Sequence, residues 1–188
     1  MRYSLDSWKD YFYVHTNEDA RDYKILRCKK NDIENLEEFV PPKKETVIGG
    51  LDFLDNYIIR AEKSDAIPKL YVRNINTNEE EEIKISNEPI GVPGASLMQK
   101  DTSTSKIRIS WESMATPGKI FEYDIKTKEK KLVKEVEIPS GHDSSKYIVE
   151  RIKAKSHDGR MIPISLVRLK SSKQDGKSKM LLYAYGAY

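Results

Sequence analysis

Three times along the chain a short β-rich run, a polar turn and a second β-rich run are followed by a polar connection, and the units return at intervals of roughly 45 to 50 residues. In the first unit Tyr11–Val14 and Tyr23–Arg27 flank the turn Asn17-Glu18-Asp19-Ala20. In the second, Val47-Ile48-Gly49-Gly50 leads into Tyr57–Ala61 and Lys69–Arg73, which flank Ser64-Asp65, and Glu82–Ile85 closes the unit. In the third, Ile107–Trp111 and Ile120–Asp124 flank Met114–Gly118, with Lys131–Lys134 as the last strand. A single unit of this kind cannot cover both faces of its sheet, so repetition is what makes a core possible. A period of this length is that of four-stranded propeller blades. A β-sandwich of about ten strands would use the same strand and turn signals without the period. The reading is therefore a mainly β chain with about three four-stranded blades. Helical signal is confined to Asn31–Val40, where apolar spacing suits about two turns before Pro41-Pro42 ends it.

The pattern changes at Ser140-Gly141-His142-Asp143-Ser144-Ser145, a polar segment suited to a domain connection. Beyond it, Tyr147–Lys155 and Met161–Arg168 alternate around a glycine turn as a longer hairpin than any before. Ser171–Lys179 contains no apolar residue, and Met180–Tyr183 is a continuous apolar run of the buried-strand type. That run enters Ala184-Tyr185-Gly186-Ala187-Tyr188. An apolar strand leading into a glycine-containing aromatic loop is a common way for an α/β enzyme to edge an active site, because amides and a hydroxyl there stabilise a developing oxyanion. The expectation is a chain that sets up such an edge and ends before the catalytic groups.

Charge and cysteine usage narrow the partners. The 33 basic and 30 acidic residues interleave along the whole 188-residue length, giving a net charge of +3. No basic block is present, which argues against nucleic acid. The single Cys28 rules out an intramolecular disulfide and reads as an ordinary strand position. No apolar stretch approaches the roughly 18 residues of a membrane span, and Met1–Asp6 lacks a signal-peptide core. A cytoplasmic chain with no membrane partner is expected.

Ser156-His157-Asp158 supplies all three residue types of a hydrolytic triad in a row, but adjacent residues in a tight turn point apart, whereas a relay needs convergence from separate elements. Asp158-Gly159 reads instead as hairpin geometry. His15 and His142 have no partners at metal-ligand spacing, and no phosphate-binding glycine loop occurs, so neither metal nor nucleotide cofactor is expected. The run Glu79-Glu80-Glu81-Glu82 reads as a solvated turn of mutually repelling carboxylates. Trp111 shares a strand face with Ile107 and Ile109 and is expected in the core. Tyr183, Tyr185 and Tyr188 fit either packing at a strand end or a role in catalysis.

Several stretches together resemble the prolyl oligopeptidase family of serine peptidases, within it the oligopeptidase B (protease II) branch that cuts after basic residues. They are Phe12–Asn17 with Ala20–Ile25, Trp111–Pro117, Phe121–Asp124, Ser156–Val167 and Leu182–Gly186, in the family's order and across nearly the whole chain. The resemblance implies residues 1–143 as the last blades of a propeller and residues 144–188 as the first strands of an α/β-hydrolase catalytic domain. It places on Tyr185 the tyrosine whose hydroxyl serves the oxyanion hole, with Ala184 where the family has a glycine. The family's Gly-x-Ser-x-Gly elbow, Asp and His find no match in this sequence. The implied function is hydrolysis of short peptides after basic residues, with the chain inactive until a complementary hydrolase fragment completes it. The alternative is a non-catalytic propeller-derived module that binds a protein or peptide.

Overall fold

The computed structural model describes residues 1–96 and 101–184 of the chain. The first blade comprises β1 (Tyr3–Trp8), β2 (Tyr11–Thr16), β3 (Lys24–Lys29) and β4 (Asp32–Val40). The second comprises β5 (Thr46–Phe53), β6 (Tyr57–Ser64), β7 (Ile67–Asn74) and β8 (Glu80–Glu82), and the third β9 (Val92–Ser96), β10 (Lys106–Glu112), β11 (Lys119–Asp124) and β12 (Lys130–Glu135). Each blade is an antiparallel meander whose strands lie side by side in chain order. A 3₁₀ turn at Ser144–Lys146 then leads into the separate hairpin β13 (Tyr147–Lys155) and β14 (Met161–Leu169).

Three local expectations need correction. The segment expected to be helical is β4, paired with β3 through a ladder with two register shifts. Those shifts absorb residues and break the simple alternation, so Ile33 and Leu36 sit exposed while Phe39 and Val40 reach the core. A two-turn helix is marginal in water, and pairing with β3 satisfies the same backbone groups. In the second blade, β8 occupies Glu80–Glu82 rather than Glu82–Ile85; Ile83 and Ile85 are buried just beyond it, in the crossing segment to the next blade. Finally, Met180–Ala184 forms no strand, and Met180, Leu181, Leu182 and Tyr183 are largely exposed. A strand of the doubly buried type requires neighbours on both edges, and the described residues supply none. The chain is mainly β, and no helix or parallel sheet follows the β13–β14 hairpin among the described residues.

Alternation along the strands builds two cores between three blades. On β10 the inward residues Ile107, Ile109 and Trp111 meet Tyr57, Ile59, Leu70 and Val72 of the second blade. Between the first and second blades lie Tyr13, Ile25, Phe39, Val40, Ile48 and Ile58. Strand β6 therefore serves both, Ile59 on one face and Ile58 on the other. β5 bends over β6 at a bulge between Ile48 and Leu51. Gly49 is required at that bulge, since a Cβ there would lie 2.8 Å from the Ala61 carbonyl oxygen.

The face of β6 that looks toward the first blade also carries Arg60 and Glu62, whose side chains are only 3% exposed each. Arg60 Nη1 and Nη2 donate to the two carboxylate oxygens of Glu80 at 2.7 and 2.8 Å, and Arg60 Nε donates to Glu62 Oε1 at 3.0 Å. Lys43 Nζ reaches Glu62 at 2.6 Å and Arg73 Nε reaches Glu80 at 3.0 Å. Arg60 lies 5.2 Å from the Tyr71 ring centre and Arg73 4.5 Å from that of Phe39, so the cations are also faced by aromatic rings. Glu80 is thus not part of a solvated turn. Two arginines from neighbouring strands draw it onto the sheet, and the acidic run that repels itself in sequence is divided between partners in space.

Burial by itself would raise the Glu80 carboxyl, but hydrogen bonding and charge attraction from Arg60, joined by Arg73, outweigh it and hold the group below the usual carboxylate range. A depressed folded-state value means that this contribution is present above the unfolded carboxylate range, near pH 4.3, and is lost as pH falls through the folded value. Glu80→Gln should lower unfolding free energy at pH 7 by about 2 kcal/mol and flatten the acid limb of the stability profile. Arg60→Met should cost more, about 3–5 kcal/mol, because Glu62 is left buried with Lys43 as its remaining cation. Urea unfolding followed between pH 3 and 8 measures both, and a Glu80→Gln profile parallel to the parent's would contradict the assignment.

Candidate functional site

Chain direction gathers the connections of functional interest at one end of the blades. Strands β6 and β10 both run toward that end and β7 and β11 away from it, so the turns Asp65-Ala66 and Ser113–Gly118 lie there. The crossing segments 41–45 and 83–91 and the connection 136–146 lie there as well. The β6–β7 turn is two residues long, with Asp65 and Ala66 at φ 51° and 59°. This double left-handed turn matches the twist of the flanking strands, at some cost for a non-glycine pair.

The Ser113–Gly118 loop is held by its own hydroxyl. Ser113 Oγ accepts from the backbone N–H groups of Ala115 and Thr116 at 3.1 and 2.9 Å, and Ser113 N–H donates to the Thr116 carbonyl at 3.1 Å. Thr116, itself buried, donates its hydroxyl to Glu88 Oε1 at 2.7 Å, tying the loop to the 83–91 crossing segment. His142 donates from Nε2 to the Ala115 carbonyl at 2.7 Å, and its ring stacks on Tyr147 with centres 5.4 Å apart. The loop is therefore a joint between the third blade, the crossing segment and the start of β13.

The β13–β14 hairpin rests on the second blade by a second contact. Lys153 Nζ pairs with Asp65 Oδ1 at 3.2 Å, and Arg151 donates from Nη2 to the Asp65 carbonyl while its Nη1 donates to Ser165 Oγ at 2.6 Å. Register places Arg151 opposite Ser165 and Lys153 opposite Pro163 on one face. The other face carries Ile148, Ile152, Ala154, Ile162, Ile164 and Leu166, with Glu150 and Arg168 paired at 3.0 Å.

The candidate residues distribute as follows. Ser156, His157 and Asp158 form the β13–β14 turn: Ser156 N–H donates to the Arg160 carbonyl at 2.8 Å, and Gly159 takes φ 85°. Ser156 Oγ and His157 Nδ1 are 3.4 Å apart but exposed, and Asp158 accepts from the Arg160 amide at 3.1 Å rather than from the histidine. No relay forms. His15 donates to the Ile48 carbonyl at 2.8 Å and stacks on Tyr23, Cys28 is a buried free thiol, and Trp111 is in the core. Among the described residues no three His, Cys, Asp or Glu side chains assemble into a metal-holding group, and no helix is long and apolar enough to cross a membrane. Tyr185, the oxyanion candidate, and Tyr188 lie outside the described residues. Sequence reasoning missed Glu88, Asp65 and Arg151, because each is an isolated charged residue whose partner comes from another element.

A family model described as the prolyl oligopeptidase N-terminal β-propeller domain matches residues 1–136. The chain belongs to the prolyl oligopeptidase family. It is 31% identical over 192 residues to a dipeptidyl aminopeptidase BI of Pseudoxanthomonas mexicana and 25% identical over 186 residues to a protease 2 of Moraxella lacunata. These alignments cover 100% and 99% of the chain but 26% of each relative, so the chain spans about a quarter of their length. Among solved structures it resembles oligopeptidase B from Trypanosoma brucei, in a closed form with covalently bound antipain (TM-score 0.80, 22% identity, 92% of this chain and 26% of that one). It also resembles oligopeptidase B from Leishmania major (TM-score 0.79, 21% identity, 93% and 26%). At these identities the likeness establishes the propeller fold.

The joint at Ala115 and the contact at Asp65 differ in what they rest on. Removing His142 deletes a part-buried hydrogen bond and a stacked ring, whereas Asp65→Asn deletes an exposed charge and leaves intact the backbone carbonyl that Arg151 uses. Hydrogen exchange in β13 should therefore speed up about five- to tenfold in His142→Ala, from the loss of roughly 1 kcal/mol, and change less than about twofold in Asp65→Asn. Equal acceleration by the two would show that the exposed ion pair holds the hairpin.

Proposed function

We propose that this chain is part of an oligopeptidase B-like serine endopeptidase, cytoplasmic, which hydrolyses short peptides after basic residues. Residues 1–143 supply propeller blades and residues 144–188 open the α/β-hydrolase domain. The two-faced β13–β14 hairpin carries the reading. One face places Arg151 and Lys153 on the blade end at Asp65 yet leaves Met161 and Leu169 exposed, and the other leaves Ile152 and Ile162 nearly half exposed, at 48% and 47%. A two-stranded ribbon is marginal alone, so an apolar face of this kind suits a strand pair onto which further sheet and helices pack. The family membership supports the same division.

Within residues 1–188 no Gly-x-Ser-x-Gly elbow occurs, and the Ser156-His157-Asp158 turn is not convergent. The purified 188-residue chain should therefore neither hydrolyse arginyl or lysyl reporters nor take up a fluorophosphonate probe. Stoichiometric labelling at any serine would overturn the assignment of the nucleophile to a complementary hydrolase fragment. Saturable peptide binding by a chain that gains no activity from any such fragment would favour the non-catalytic module.

In the same reading the Tyr185 hydroxyl is one of two donors to the tetrahedral intermediate's oxygen. Co-expression with a fragment carrying the nucleophile, Asp and His should restore hydrolysis, and Tyr185→Phe should then lower turnover about 100-fold with assembly unchanged. Tyr183→Phe should do much less, since the resemblance assigns the oxyanion donor to Tyr185 alone, even though an extended segment would put both side chains on one side. Equal effects of the two substitutions would return these tyrosines to packing.

A further inference from the structure

We draw no further inference here: the strongest candidate, an apolar cleft of about 380 Å³ between Val92, Ile120 and Val136 on the face of the third blade turned away from the second, is an unpartnered sheet face, and nothing in the structure shows what covers it.

Discussion

Strand β6 is the element on which the blades depend, because both inter-blade cores are built on it. Ile59 and Tyr57 face the third blade and Ile58 and Arg60 the first, so a single strand contributes to both hydrophobic clusters. The face toward the third blade is closed by aliphatic side chains and Trp111. The face toward the first blade is closed half by apolar packing and half by charge, with Arg60 drawing Glu62 and Glu80 together and Lys43 and Arg73 completing the balance. Such a network contributes less to stability than an apolar replacement of the same shape often does, since desolvation offsets most of the attraction. What it supplies is discrimination: a blade slipped by one residue would turn Arg60 and Glu62 to the opposite face and strand them without partners.

The blade count and most strands were legible because they depend on local alternation. Ile107-Arg108-Ile109-Ser110-Trp111 announces its own inward face, and the structure buries the odd-numbered residues of that run. The misreadings occur where the local pattern is overruled from outside the segment. At β4 two register shifts against β3 take up residues that helical spacing would have used. At β9, Pro93 and Gly94 disguise a strand whose identity comes from pairing with β10. At Glu79–Glu82, repulsion within the run is real, yet Arg60 and Arg73 are not visible as neighbours until the sheet is formed. For the site the division is sharper. That Ser156-His157-Asp158 is a turn follows from adjacency alone, whereas Glu88 meets Thr116 from 28 residues away and Asp65 meets Arg151 and Lys153 from 86 and 88 residues away, beyond any local rule.

The Ser113–Gly118 loop shows why a sequence feature that identifies a family need not carry its chemistry. Two of its side chains and one of its carbonyls have mechanical roles. Ser113 folds the loop by accepting two amides, Thr116 reaches the crossing segment through a buried hydroxyl, and the Ala115 carbonyl receives His142 from the connection to the hairpin. A loop with one of these bonds would tolerate substitution. A loop that joins three elements tolerates little, because any change loosens all of them together. The joint fixes how β13 leaves the third blade, while Asp65 fixes where the hairpin lands on the second. Two contacts on different blades determine the orientation of a ribbon that neither would determine alone, and the face that carries Ile152 and Ile162 is turned away from the contact that Arg151 and Lys153 make with the second blade.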